Sequence, residues 1–157
     1  MTTKEIKELI NKIPTTEQKI KFGIYCALEV YDDPEFILWA NNWLSGKNKC
    51  KELSWTAGQQ AIAKMEALIK AKLELSMAIG MSAKKEERLE ELNEMNRIRT
   101  SALAAESAAT AATWGEWVGV EKIAAHEAAV AVFETASWTV HCLVINLKKL
   151  AEKAKEE

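Results

Sequence analysis

The sequence predicts an all-α fold, a multi-helix bundle with alanine-rich, closely packed C-terminal helices, and three observations predict it. The stretch from Thr100 to Trp138 holds an alanine-rich helical pattern, a break over Trp114, Gly115, Glu116, Trp117, Val118 and Gly119, and a second alanine-rich pattern. Helix start and stop signals punctuate the first fifty residues. No segment alternates apolar and polar residues as a half-buried strand would. Alanine has the best intrinsic helix propensity but buries little surface, so two consecutive alanine-rich helices point to backbones that approach closely.

Element by element, Thr2 or Thr3 caps a first helix, with Glu5 or Glu8 in its first turns. It ends before Pro14, because proline disfavours helical geometry in the residue ahead of it. Thr15-Thr16-Glu17-Gln18 is a second capping signature. The helix after it runs to about Tyr31, with Ile20, Ile24, Ala27 and Val30 or Tyr31 at helical spacing. Asp33 caps a third helix and Pro34 fits its first turn. That helix carries Phe36, Ile37, Trp39, Ala40, Trp43 and Leu44 and stops at Ser45-Gly46. A fourth is predicted from about Lys49 to Ile79, with Leu53, Ala57, Gln60 or Ala61, Lys64 and Leu68 along it and Trp55 and Ile62 to one side.

Gly80 and Ser82 mark the next stop and start. Residues 82–99 read as a charged helical elaboration that keeps Leu89, Leu92, Met95 and Ile98 at three-residue steps, and so projects from the bundle or covers one side of it. In the alanine block, Ala104, Ala108 and Ala111 or Ala112 recur at helical spacing, as do Ala105, Ala109 and Ala112. One last helix is predicted from about Val120 to Lys153, with a core stripe of Ala129, Phe133, Ala136, Val140, Val144, Leu147 and Ala151. The charged tail, about 152–157, is expected to fray.

At 157 residues the chain reads as one domain, 1–157, long enough to need no disulfide or metal. A net charge of -2 without a basic stripe argues against nucleic acid as partner. Cys26, Cys50 and Cys142 are odd in number and lack CxxC spacing, which reads as free thiols in a reducing compartment. The start, MTTKEIKELI, has no apolar signal core, and no window reaches 18 uninterrupted apolar residues. A cytoplasmic location without a membrane span is therefore expected.

Chemistry is sparse. His126 and His141 stand about 22 Å apart on an unbroken helix, and neither has a carboxylate, histidine or cysteine one turn away. Ser101, Ser107 and Ser137 lie inside helices, Cys26 and Cys142 sit in apolar runs, and no phosphate-binding glycine motif is present. No catalytic, cofactor or metal residue is assigned, and the chain reads as a non-enzyme. Two features look like recognition. Glu127, Glu134 and His141, with Trp138 between the last two, form a side of the last helix suited to steering and anchoring a partner. The plainer reading of that side is a solvated or packed helix face. His126 reads as a buried, hydrogen-bonded core histidine. Of the six tryptophans most read as core filler, and Trp114 and Trp117 at the helix break are the candidates for exposure. The candidate partner-binding set is Trp114, Glu116, Trp117, Glu127, Glu134, Trp138 and His141.

Two stretches carry a resemblance. CALEVYDDPEFILWANNWLSG, Cys26 to Gly46, has a helix with cysteine, an Asp-Pro turn, and a helix ending in tryptophan and glycine. Ala102 to Trp138 has a small-residue helix leading into one with the run Ala124-Ala125-His126-Glu127-Ala128-Ala129. Together they resemble the immunity-protein-five-like family of bacterial polymorphic-toxin systems. The chain departs from that pattern in having fewer histidines and in the charged segment Lys84 to Arg99. The resemblance implies an all-α domain that binds and neutralises a cognate toxin and supplies no catalytic residues. The function expected is a protein-binding module that occludes a toxin, with acidic complementarity to a basic site. Two rivals remain: a bundle holding a small ligand in a Trp-lined cavity, and a structural protein whose alanine faces join subunits into a homo-oligomer.

Overall fold

The computed structural model describes residues 1–79, 84–117, 119–137 and 146–156, and these form seven helices with no strand among them. They are α1 (Thr3–Asn11), α2 (Thr16–Val30), α3 (Pro34–Leu44), α4 (Lys51–Ile79), α5 (Lys85–Trp114), α6 (Val120–Ser137) and α7 (Leu147–Lys155). The fold is an all-α multi-helix bundle.

The early boundaries follow from local chemistry. Thr2 accepts the Glu5 amide at 3.3 Å while the Glu5 carboxylate accepts the Thr2 amide at 2.6 Å, a reciprocal capping box. Thr15 and Gln18 repeat the arrangement at the start of α2. Asp33 Oδ1 accepts the amides of Glu35 and Phe36, and Pro34 opens α3 with a preset φ. Gly46 ends the chain's run through α3 at φ 75°, a left-handed geometry that glycine adopts without a Cβ penalty.

Helix α2 lies at the centre, buried from Lys19 to Ala27, and packs against α5, α6 and α7. Its neighbours meet it with small side chains. Ala104, Ala105, Ala108, Ala109 and Ala111 of α5 are 0% exposed, as are Ala125, Ala128 and Ala129 of α6. Gly23 sits at the crossing: a Cβ placed there would stand 3.7 Å from the Cα of Ala125 and 3.9 Å from the Cα of Ala108. The alanine faces are thus consumed joining helices of one chain, which removes them as a subunit interface. One buried polar contact ties the pair, the Thr135 hydroxyl donating to that of Thr100 at 2.7 Å.

Several expectations are corrected by this packing. Phe133 is exposed, and α6 buries Ala128, Ala129, Val132 and Thr135 instead. A helix flanked by both α2 and α5 has room only for small residues on its inner faces, so its largest apolar side chain turns outward. The single long last helix is not seen: α6 is described as far as Ser137, and α7 starts afresh at Leu147, where Asn146 leaves helical geometry at φ -94° and ψ 86° and its side chain accepts the Lys149 amide at 3.1 Å. Val140 and Val144, like Cys142, Gly80 and Ser82, lie outside the described residues. The tail does not fray over 152–155. Ala151 and Ala154 are buried, the Lys153 ammonium lies 4.3 Å from the Tyr25 ring centre, and Gln18 Nε2 donates to the Lys155 carbonyl.

The charged segment is the first half of the continuous helix α5, paired with the second half of α4 as an arm. Leu68, Leu89 and Leu92 on this arm are exposed, as is Leu53 nearer the body, so helical spacing there did not mark core. Where α4 leaves the body, Lys64 reaches back to α3 and bridges Asp33 at 2.6 Å and Glu35 at 2.8 Å. Partial burial alone would raise the Asp33 carboxyl, but the Lys64 ammonium and the Phe36 and Glu35 amides outweigh it and hold it below its usual range. A carboxyl depressed in the folded state stabilises above its unfolded pKa, about 3.9, and that contribution is lost as pH falls through the folded value. Asp33→Asn should therefore lower the urea midpoint at pH 7, and the gap from the parent should close toward pH 3. A gap that stays constant with pH would contradict the charged role.

The glycines give a sharper packing test. At Gly23 an added methyl meets only ordinary contacts, and alanine is the better helix former by about 1 kcal/mol. At Gly115 the same methyl would stand 2.6 Å from both the Ala111 carbonyl oxygen and Ile20 Cδ1. Urea unfolding should find Gly23→Ala neutral or stabilising, and Gly115→Ala destabilised by about 1–3 kcal/mol.

Candidate functional site

Trp114, Glu116 and Trp117 come together where α5 stops and α6 begins. Trp117 donates its amide to the Trp114 carbonyl at 2.9 Å, and Gly119 turns the chain at φ 86° into α6. This tight return stands the two indoles edge to face, with ring centres 6.1 Å apart. Trp55 of α4 joins them from across the helix pair, 6.3 Å from Trp114. The three are 48%, 41% and 65% exposed, in the order Trp55, Trp114, Trp117.

Trp55 was missed in the sequence, where it grouped with the core tryptophans. The signal was present: Trp55 lies off the side of α4 that carries Ala57 and Ala61, the residues that are buried. Trp39 and Trp43 do behave as core, and the Trp39 indole donates to the buried Ser54 hydroxyl at 3.3 Å.

Charge surrounds the cluster. Lys51 bridges Glu116 at 2.9 Å, and Lys49 bridges Glu17 at 2.8 Å while lying 4.7 Å from the Trp43 ring centre. These residues line a cleft of about 280 Å³ floored by Ile20. The Lys49 hydrogen bond is the main cause that keeps the Glu17 carboxyl below its usual range. Exposed pairs of this kind contribute little stability.

The remaining candidates divide. Glu127 and Glu134 are both exposed on α6, about 10 Å and about 21 Å along the helix from Val120. They share one side of that helix with the exposed Ile123 but do not touch the tryptophan cluster. Trp138 and His141 lie outside the described residues. His126 is half-buried beside a cleft of about 220 Å³ between α1 and α6. Its Nε2 is enclosed and has no hydrogen-bond partner among the described residues, and the ring as a whole is half-buried where a buried core histidine is expected.

Among the described residues no cluster of histidine, cysteine and carboxylate is built to hold a metal ion. Burial pushes the Cys26 thiol far above its usual range and away from thiolate chemistry. No helix of the described residues is long and apolar enough to cross a membrane.

Collisional quenching separates the two tryptophan populations. Trp117→Phe should reduce the fraction of emission quenched by iodide, and Trp39→Phe should raise it. Equal effects of the two substitutions would contradict the exposures described. Comparisons of the chain with protein-family models, with curated proteins and with solved structures return no match.

Proposed function

We propose that the protein is a non-enzymatic binding module that neutralises a toxin by occluding it. The observation that carries this reading is Trp117, the most exposed tryptophan among the described residues, packed edge to face on Trp114 at a helix break. An indole left in solvent contributes little to folding, while tryptophan pre-organised on a surface is the side chain most enriched at binding hot spots. Glu116 beside it and Glu127 and Glu134 along α6 supply negative charge for steering toward a basic partner. The distance they span, about 20 Å, suits an interface of ordinary size. The resemblance of Cys26–Gly46 and Ala102–Trp138 to the immunity-protein-five-like family supports the toxin as partner. The free thiols among the described residues, buried Cys26 and exposed Cys50, fit work in a reducing compartment such as the cytoplasm.

A tagged chain recovered from native-host lysate tests this. The reading requires a stoichiometric partner that is toxic when expressed alone and harmless beside the wild-type chain. Trp117→Ala, Glu127→Lys and Glu134→Lys combined should abolish that protection while the fold persists. Undiminished binding by the folded triple variant would overturn the assignment of the surface.

A further inference from the structure

The paired helices α4 and α5 are covered near the body and exposed on more than one side beyond it, and one of these open faces runs the length of the pair. Helix α3 packs on α4, with Lys64 reaching Asp33, and α2 and α6 pack on α5. The open face begins at the Trp55–Trp114 contact. On α4 it continues through Ile62, Glu66, Leu73 and Met77, in steps of seven and four residues that keep one side of a helix. On α5 it runs back through Leu89, Leu92, Arg99 and Leu103 to Trp114, again in steps of three, four and their sums. Except for half-buried Ile62 these residues are exposed, Met77 by 82%.

The face has an internal register. Antiparallel helices rise about 1.5 Å per residue in opposite directions, so residues whose numbers share one total stand level. Three contacts fix that total near 167: Trp55 with Trp114, Gly58 with Ala109, and Ser76 donating to Glu91 at 3.1 Å. By this measure Ile62 stands within about 3 Å of the level of Leu103, Leu73 of Leu92, Met77 of Leu89, and Glu66 of Arg99. Each apolar residue of α4 on this face thus has an apolar counterpart on α5, and the acid has a base.

We infer that a second copy of this chain packs on the open α4–α5 face, about a two-fold axis parallel to the two helices. Such an axis lays α4 of one copy over α5 of the other and keeps every residue at its own level. Leu73 then meets Leu92 of the second copy, Met77 meets Leu89, and Glu66 meets Arg99, twice over. A face about 40 Å long and about 20 Å across offers about 800 Å², the area one partner gives to an interface of standard size. Trp55 and Trp114 close the end of this seam nearest the body. Trp117, Glu116 and the outer side of α6 stay outside it, so of the candidate partner-binding residues only Trp114 borders the self-association seam.

Sedimentation velocity on the full chain, from about 1 to about 100 µM, tests the inference. The wild type should sediment as a reversible dimer. Met77→Glu with Leu92→Glu should raise the dimer Kd at least about tenfold, with the far-UV spectrum unchanged because both positions are exposed. Glu66→Arg and Arg99→Glu should each weaken the dimer, and the two together should restore it. A wild type that stays monomeric throughout would overturn the proposal, as would a dimer indifferent to Met77→Glu and Leu92→Glu. Charge reversals that fail to rescue one another would overturn the two-fold register.

Discussion

The close approach of α2 to α5 and α6 at Gly23, Ala108 and Ala125 is the constraint on which the rest of the structure depends. Small residues at a helix crossing let backbones come near the short end of the usual interaxial range, where dispersion contacts are dense. Each alanine removes little apolar surface from water, so the contact must be long and continuous to be stable. The chain meets that demand by running alanine through about three consecutive turns of α5, from Ala102 to Ala112, and along the inner sides of α6. Large side chains then pack beside the crossing, Phe22 and Ile24 of α2 among them. Ile6 and Ile10 of α1, Ile13 after it, and Phe36, Trp39 and Trp43 of α3 are buried around the crossing.

This arrangement explains where the functional surfaces fall. A helix crowded by neighbours on its inner sides cannot bury Phe133 or Ile123, so α6 carries them outward beside Glu127 and Glu134. The end of α5 is pinned by Gly115 against Ile20 of α2, which leaves Trp114 and Trp117 no room inside the bundle. They turn onto the surface, where Trp55 meets them. Helices α4 and α5 then extend past the body on their own pairing. Beyond Ala61 on α4 and before Ile98 on α5 little is buried, so the arm displays leucines that a longer bundle would have covered.

Much of this was legible in the sequence where the cause is local. Capping boxes at Thr2 and Thr15, the Asp33-Pro34 start and the Gly46 stop act within four residues, and each helix boundary followed from them. The alanine block and the exposure of Trp114 and Trp117 were legible too, because a helix break between small-residue helices leaves bulky side chains little to pack against. What periodicity cannot carry is which side of a helix a neighbour covers. Leu68, Leu89 and Leu92 lie at helical spacing like any core stripe, yet they are exposed. Phe133 was misplaced by the assumption that the largest residue marks the core. The exposure of Trp55 was legible in its position off the Ala57–Ala61 side of α4, but its contact with Trp114, distant in sequence, was not.

Hydrogen exchange across the chain, at low micromolar concentration, tests the central claim that the small-residue crossing is the stable heart of the fold. Exchange reports the free energy of local opening, and few buried contacts mean easy opening. The account predicts the slowest amides in α2 from Lys19 to Ala27 and in the alanine-rich stretches of α5 and α6. It predicts much faster exchange in the arm, beyond Ala61 on α4 and before Ile98 on α5. Arm amides as protected as those around Gly23, or fast exchange in α2, would contradict it.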